Sequence, residues 1–236
     1  MQTLPSLLSE IENCQACGLM AENNAIGIKY IPIKPKPNAK IVFIGRDPSP
    51  RTAVQVVGER GGRSVFINEV FKMVDEAGIS EDLIYITDLC KCHWRTSVGK
   101  PLPHTGNRAT RLDRDIADKC FQTWLVQEIR LLQPDLIVGS GEELYQLLRE
   151  CIIYPSPAPR KFSATKDKSV LDAEAWFVEN GPLSIQLDGV EYALATIRHA
   201  GNSVRLPRSS KPGDRRYEYH QKARKRLVEL MSKAGS

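Results

Sequence analysis

Three short apolar runs, rich in β-branched residues and separated by helical patterns, most constrain how this chain folds. They are "AKIVFIG" at 39–45, "LIYITDL" at 83–89 and "DLIVGSG" at 135–141. Continuous apolar runs of this length are typical of strands buried on both faces of a parallel sheet. "VEYALATIRHAG" at 190–201 supplies a fourth strand and the turn that follows it.

Helical patterns alternate with these strands. Helices are expected at residues 64–78, 114–133, 142–151 and 214–233, and residues 3–20 are expected to form a short helix that ends in a cysteine turn. The alternation predicts an α/β protein, with three α/β/α layers around a central, mainly parallel four-stranded sheet. One domain is expected over residues 1–236. Its subdivisions are an N-terminal segment (1–38), an insertion (152–189) and a basic C-terminal tail and helix (207–236).

Composition narrows the class of protein. The 236 residues are 42 % hydrophobic and 26 % charged, which suits a soluble globular domain with its own core. No apolar run approaches the roughly 18 residues that cross a bilayer, and the N-terminus lacks signal-peptide features. We expect a cytoplasmic monomer without membrane contact. The net charge of +5 suits an anionic partner such as nucleic acid, although a solvated basic surface gives the same value.

Cysteine usage suggests a metal site. Six cysteines in a cytosolic chain favour metal binding or reactive thiols over disulfides. Cys14 and Cys17 form a C-x-x-C chelating pair, and Cys92 and Cys120 are the best further ligands. Cys120 is expected near the start of a long helix, whose dipole would favour the thiolate.

Several interpretations of the cysteines remain open at this stage. Four thiolates hold either zinc or an iron–sulfur cluster, whereas buried structural cysteines need no metal at all. Cys90 lies two residues before Cys92 and is either a buried neighbour or the true ligand. Cys151, at a helix end, is interpreted as a core residue.

Polar segments follow three of the predicted strands. They are "GRDPSPR", "TDLCKCHW" and "RHAGNSVR". Ligands of open α/β sheets bind at the carboxyl ends of the strands, so these segments are expected to form one site.

Six short motifs follow one another along the chain: "C-x-x-C-G-L", "IVFIGRDPSP", "YITDLCKCHW", "NR…ADKC", "QPDLIVGSG" and "RHAGNSVR". Together they resemble the uracil-DNA glycosylase superfamily, and most closely its branch with a four-cysteine [4Fe–4S] cluster. The resemblance covers roughly residues 11–151 and 190–206. It implies that the cluster connects the N-terminal segment to a loop near the DNA and does no chemistry, a redox role being the alternative. The ligands it implies are Cys14, Cys17, Cys92 and Cys120.

The resemblance also implies the catalytic residues. Asp47 stands where the best-known members have the acid of "GQDPYH", and would position water and stabilise the oxocarbenium-like sugar. The iron–sulfur branch has its acid one residue earlier, where this chain has Arg46. His199 matches the histidine of "HPS" and would donate to a carbonyl oxygen of the leaving base. The plain alternatives are a turn aspartate and a histidine bonded to backbone.

Asp88 departs from the uracil-binding pattern. Uracil-reading relatives have asparagine here, which accepts from N3–H and donates to O4. An ionised carboxylate accepts from the exocyclic amine of cytosine but cannot donate to O4. Ser49 replaces the tyrosine that blocks the C5 side of the pyrimidine, which leaves room for a C5 substituent. We therefore expect a 5-modified cytosine, as found in phage DNA; a protonated or reoriented Asp88 would leave uracil as the substrate.

The remaining candidate residues complete the site. Phe66 is expected to stack on the flipped base, or else to belong to the core. The base pocket is assigned to Gly45, Arg46, Ser49, Phe66, Asp88 and Asn202. Val204, Arg205 and Leu206 could fill the gap left by the base. DNA contacts are assigned to Arg51, Val204, Arg205, Arg208 and Lys211. Basic residues after 218 suit a solvated helix face.

Three classes of function are therefore open. The first is a DNA glycosylase, acting on a modified cytosine in defence against phage or on uracil in base-excision repair. The second is a non-catalytic iron–sulfur protein that binds nucleic acid. The third is a zinc or iron–sulfur redox protein.

Overall fold

The computed structural model describes residues 2–25, 30–46, 48, 56–60, 64–92, 114–153, 170–198 and 215–235. Within these ranges the helices are α1 (Leu4–Glu12), α2 (Leu19–Ala25), α3 (Val65–Ala77), α4 (Arg114–Cys120), α5 (Val126–Leu132), α6 (Glu142–Leu148), α7 (Val170–Asn180) and α8 (Arg215–Ala234). The strands are β1 (Ile41–Gly45), β2 (Ile84–Asp88), β3 (Leu136–Ser140), β4 (Ile152–Ile153), β5 (Leu183–Leu187) and β6 (Val190–Ile197). In this part of the chain, no helix combines the length and the apolar character that a membrane crossing requires.

The strands form one sheet in the order β2-β1-β3-β6-β5-β4. The first four are mutually parallel, which confirms the predicted parallel core of an α/β fold. Strands β1, β2 and β3 are buried along their whole length, as their continuous apolar runs predicted. The expected number of four strands is wrong, because β5 and β4 extend the sheet with antiparallel pairing.

The extra strands come from the segment predicted as an insertion. Strands β5 and β6 form a hairpin through the two residues Asp188 and Gly189, whose φ angles of 48° and 81° are both positive. An Asp-Gly pair between two strands is the preferred sequence of such a type I′ turn, because glycine adopts positive φ without strain. Helix α7, also within 152–189, packs against β6 and α8.

Helices lie on both faces of the sheet. On β2, Thr87 faces α5, where its hydroxyl donates to Glu128 at 3.0 Å. Asp88 points to the opposite face, as alternation along a strand requires, and meets Phe66 of α3 near Gly45. These contacts agree with the predicted arrangement of helix layers around a central sheet.

The short helix expected within 3–20 is confirmed as α1, which ends at Glu12; the predicted turn with Cys14 and Cys17 follows, and then α2. The helix expected over 114–133 is present, but a π-helical turn (Phe121–Leu125) separates α4 from α5. Such wide turns insert one residue into a helix and are frequent at functional sites.

The C-terminal helix α8 is part of the packed structure. Ala223, Leu227 and Met231 recur at a spacing of four residues and are fully buried. The guanidinium of Arg224 donates to Glu76 of α3 at 2.6 and 2.7 Å, and Arg226 donates to the carbonyl of Val178 at 2.8 Å. These two arginines therefore join α8 to its neighbouring helices.

Candidate functional site

The first candidate site lies where β1 and β2 end together. Gly45 and Asp88 are paired across the two strands. A Cβ at Gly45 would lie 2.3 Å from Asp88 Oδ1 and 3.1 Å from Cε1 of Phe66. Glycine is therefore required for the carboxylate and the ring to approach the backbone. Three residues assigned to the base pocket thus meet at the carboxyl edge of the sheet.

Both side chains at this glycine are almost inaccessible to solvent. Asp88 is 8 % exposed and Phe66 is 7 % exposed. A carboxylate in such surroundings strongly prefers a hydrogen-bond donor, and it rejects a second acceptor. The site is therefore chemically suited to read an amine or another N–H group.

The chain leaves β2 on a fixed path. Beyond the strand, Leu89 N donates to the carbonyl of Gly45 at 3.0 Å, and Cys90 N donates to that of Arg46 at 2.9 Å. The Arg46 guanidinium lies 3.5 Å from a carboxylate oxygen of Glu143 at the start of α6. Backbone pairing thus continues from Asp88 towards the cysteines.

A buried lysine fixes this path from within. Lys91 is 2 % exposed, and its Nζ donates to the carbonyl of Asp88 at 2.7 Å and to the Thr87 hydroxyl at 2.8 Å. It also forms an ion pair with Glu128 of α5 at 2.7 Å, and Glu128 is fully buried. All three ammonium protons therefore have acceptors, which a buried lysine requires.

Two tyrosines surround the negative end of this pair. Burial first, and then Glu128, raise the pKa of both Tyr30 and Tyr85 above the ordinary range. Their hydroxyls consequently stay neutral at physiological pH, and Lys91 is the cation that balances Glu128.

The second candidate site is formed by cysteines. Cys14 and Cys92 pack together with Leu19 and Met20, and Cys17 borders the same small cluster. Burial, together with the charges of Cys120, Cys14 and Cys17, raises the pKa of the Cys92 thiol to about 12. The N-terminal segment, the exit of β2 and the end of α4 therefore bring the four predicted ligands into one electrostatic neighbourhood.

Donors point at one of these sulfurs. The indole N–H of Trp124, in the π-helical turn, donates to Cys14 Sγ at 3.2 Å, and Ala16 N donates to it at 3.5 Å. Hydrogen bonds of this kind stabilise thiolates and tune the potential of iron–sulfur clusters. The wide turn thus places a side chain from α4–α5 against the N-terminal cysteine pair.

Cys120 differs from the prediction in its surroundings. It is the last residue of α4, two turns beyond Arg114, so the expected effect of a helix N-terminus is wrong, because that effect fades within one turn. The pKa of Cys120 is lowered to about 6, mainly by a hydrogen bond with Cys90. Burial opposes this shift, and the backbone and charge of Lys91 contribute to it. Cys90 is therefore a buried neighbour of Cys120.

Thiolates are the ligand type that zinc and iron–sulfur clusters require, but the described side chains are not arranged as a metal site. Cys14 and Cys92 share one small apolar cluster that Cys17 borders, and N–H groups are directed at Cys14, whereas Cys120 belongs to the main core. Across the described ranges, no three side chains of His, Cys, Asp or Glu stand together in an arrangement that could hold a metal ion. Cys151 is half-buried and packs against the main core, as predicted.

The other assigned residues lie outside the described part of the chain. These are Asp47, Ser49, Arg51, His199, Asn202, Val204, Arg205, Arg208 and Lys211. Their assignments stay predictions. The strand ends that precede Asp47 and His199 are described, and they lie at the same edge of the sheet.

Sequence reasoning missed the residues that hold the site together. Lys91 and Glu128 were not assigned a role, because charged residues are usually exposed. The available signals were the position of Lys91 within a segment that continues a buried strand, and Glu128 on the apolar face of a helix beside Leu125 and Ile129.

The fold and the strand-end pocket define an α/β protein that binds its ligand at the carboxyl edge of a parallel sheet. Residues 32–179, more than half of the chain, match the family model of the uracil DNA glycosylase superfamily. The chain belongs to this superfamily. Its members are DNA glycosylases, hydrolases that act on DNA in repair.

The close approach at Gly45 gives a direct prediction. Gly45→Ala forces apart Asp88 and Phe66 and is expected to cost about 1–3 kcal/mol, the usual range for overpacking. Urea unfolding measures this cost. Gly139→Ala in neighbouring β3 is the matched control. Its Cβ would lie 3.3 Å from a terminal Leu148 methyl, and reduced chain entropy of about 0.4–1 kcal/mol offsets that contact. Equal stabilities of the two variants would contradict the assigned crowding at Gly45.

The buried ion pair gives a second prediction. Lys91→Met leaves Glu128 charged and buried, and is expected to cost about 3–5 kcal/mol in the free energy of unfolding. The double variant Lys91→Met/Glu128→Leu should recover most of this loss, since neither charge remains.

The control uses the same helix. Arg130→Met removes an ion pair with Asp188 in which both side chains are about half exposed, and should change stability by less than about 1 kcal/mol. If the loss of stability in Lys91→Met/Glu128→Leu equalled the sum of the losses in Lys91→Met and in Glu128→Leu, the two charges would act independently.

Proposed function

We propose that this chain is a DNA glycosylase that flips out a 5-modified cytosine and hydrolyses its N-glycosidic bond, leaving an abasic site. The observation that carries the substrate assignment is the buried carboxylate of Asp88 beside Gly45 and Phe66. A role in defence against phage DNA follows, because such bases occur there and excision of plain cytosine would damage the host genome.

Recognition of the base rests on acceptor and donor matching. The exocyclic amine at C4 of cytosine donates to Asp88, whereas O4 of uracil would meet a second acceptor. In a buried site such a mismatch leaves polar groups unpaired, and discrimination is correspondingly large. Gly45 allows the base to lie close to the backbone, and Phe66 offers an aromatic face for stacking.

The chemistry is assigned to two residues that follow β1 and β6, the strands on either side of β3. In the proposed reaction, Asp47 orients a water and takes its proton as the water oxygen bonds to C1′ of the sugar. The bond from C1′ to the base nitrogen breaks, and the base leaves with the electron pair. His199 donates to the carbonyl oxygen where negative charge develops. Phosphate contacts from Arg51, Arg208 and Lys211 would hold the DNA.

Excision of uracil is the second candidate activity. It is favoured by the match to the uracil DNA glycosylase superfamily, and it requires Asp88 to be protonated so that it donates to O4. Ser49 in place of a blocking tyrosine supports the modified cytosine instead, since it leaves room at C5.

A [4Fe–4S] cluster is proposed at Cys14, Cys17, Cys92 and Cys120. Its support is the shared neighbourhood of the four sulfurs and the N–H of Trp124 directed at Cys14. Bound there, the cluster would contribute structurally, by joining the N-terminal segment to the exit of β2. Zinc is the alternative occupant of the same thiolates.

Base release from defined DNAs tests the substrate. Purified protein is incubated with DNAs that contain uracil, cytosine, hydroxymethylcytosine or its glucosylated form, and released bases are identified by mass spectrometry. We expect release of a 5-modified cytosine. Asp88→Asn should shift the preference between the modified cytosine and uracil by about 10–100-fold towards uracil, which corresponds to about 1–3 kcal/mol.

Asp188→Asn, in the β5–β6 turn, is the matched control and should keep the wild-type preference. Release of uracil alone by the wild-type protein would overturn the role given to Asp88. Absence of any abasic product from all four DNAs would overturn the glycosylase activity itself.

Metal content tests the cysteine assignment. Protein purified without oxygen should be brown and contain about four iron atoms per chain. Cys92→Ser should lose the iron, whereas Cys151→Ser should retain it because Cys151 lies against the main core. Cys90→Ser distinguishes a neighbour, which keeps iron, from a ligand, which loses it. Colourless protein with stoichiometric zinc would overturn the cluster.

A further inference from the structure

A buried carboxylate on α7 holds the chain at the end of β6. Glu174 is 1 % exposed. Its Oε1 accepts from the backbone N–H of Arg198 at 3.0 Å, and its Oε2 accepts from Arg198 Nε at 2.7 Å. Arg198 is itself 8 % exposed and is the residue directly before His199. One side chain thus fixes both the main chain and the guanidinium at this strand exit.

The same carboxylate also binds the C-terminal helix. His220 Nδ1 lies 2.8 Å from Glu174 Oε1, and His220 is 5 % exposed. A carboxylate oxygen accepts, so the geometry makes Nδ1 the donor. Because His220 lies in the second turn of α8, Glu174 joins three elements: α7, the end of β6 and the beginning of α8.

The positions of these contacts along the chain are informative. Arg198 precedes, and α8 follows, the segment 199–214. That segment contains His199 and most of the residues assigned to DNA contact. A chain segment whose two ends are held has fewer accessible conformations than one held at a single end. Glu174 contacts the chain on both sides of the segment through buried groups.

We propose that Glu174 is a positioning residue for the catalytic segment that begins at His199. It acts through the backbone N–H of Arg198 and through His220, and it touches neither DNA nor base. This inference rests on the proposed glycosylase function for its catalytic consequence, although the anchoring itself does not. It also gives the segment 152–189 a role, since α7 supplies the anchor.

The test combines two variants that weaken the anchor differently. Glu174→Gln keeps an oxygen for the Arg198 N–H but removes the counter-charge of the buried guanidinium. His220→Ala leaves the Glu174–Arg198 pair intact and removes only the hydrogen bond between Glu174 and α8, so the protein is expected to stay folded. His220→Asn restores a donor near the Nδ1 position and should restore the wild-type behaviour.

Two readouts separate positioning from general stability. Hydrogen exchange of the full-length protein should be faster across 199–214 in Glu174→Gln and His220→Ala, with β1–β3 unchanged. The single-turnover rate of base excision should fall by about 10²-fold, as expected when a reacting group is misplaced by about 1 Å. DNA affinity should fall far less than the excision rate, because the phosphate-contacting side chains are retained.

Glu76→Gln is the matched control. It removes another carboxylate that binds α8, through Arg224, but away from the end of β6. It should leave exchange across 199–214 and the excision rate unchanged. Wild-type exchange across 199–214 in folded Glu174→Gln and His220→Ala would overturn the proposal. A wild-type protein that excises no base would overturn the proposed function alone, because the exchange measurement still decides the anchoring.

Discussion

The buried ion pair between Lys91 and Glu128 is the interaction on which the rest of the site depends. A lysine placed between two cysteines, and almost free of solvent, is stable only because it has three close acceptors. Two belong to β2 and its exit, and the third belongs to α5. The path of the chain from Asp88 to Cys92 is therefore determined by a charge that cannot leave its partners without large cost.

This short path connects the two candidate sites. Asp88 faces Gly45 and Phe66, and four residues later Cys92 packs with Cys14. A group bound by the cysteines would fix the N-terminal segment to the same stretch of chain that positions the carboxylate of Asp88. Such a group would affect the structure only locally, because the hydrogen bonds from Leu89 N and Cys90 N to Gly45 and Arg46 already set the direction of that chain.

Sequence patterns predicted the parallel strands of the sheet and placed Gly45 and Asp88 in one pocket, since continuous apolar runs determine where parallel strands end. The β5–β6 hairpin was missed, although Asp188-Gly189 is a strong turn signal within the segment taken as an insertion. Such patterns do not predict which residues pair with Lys91 and Glu174. Glu128 lies 37 residues from Lys91, and His220 lies 46 residues from Glu174. Only the packed structure shows that these charges meet.

Both buried anchors hold main-chain atoms next to a residue assigned to function. Lys91 binds the carbonyl of Asp88, and Glu174 binds the N–H of Arg198. An anchor on the backbone is indifferent to the side chain it positions. Asparagine and aspartate at position 88 would therefore be held alike. The backbone path, which depends on buried charge pairs, is in this way independent of the side chain that stands beside Gly45.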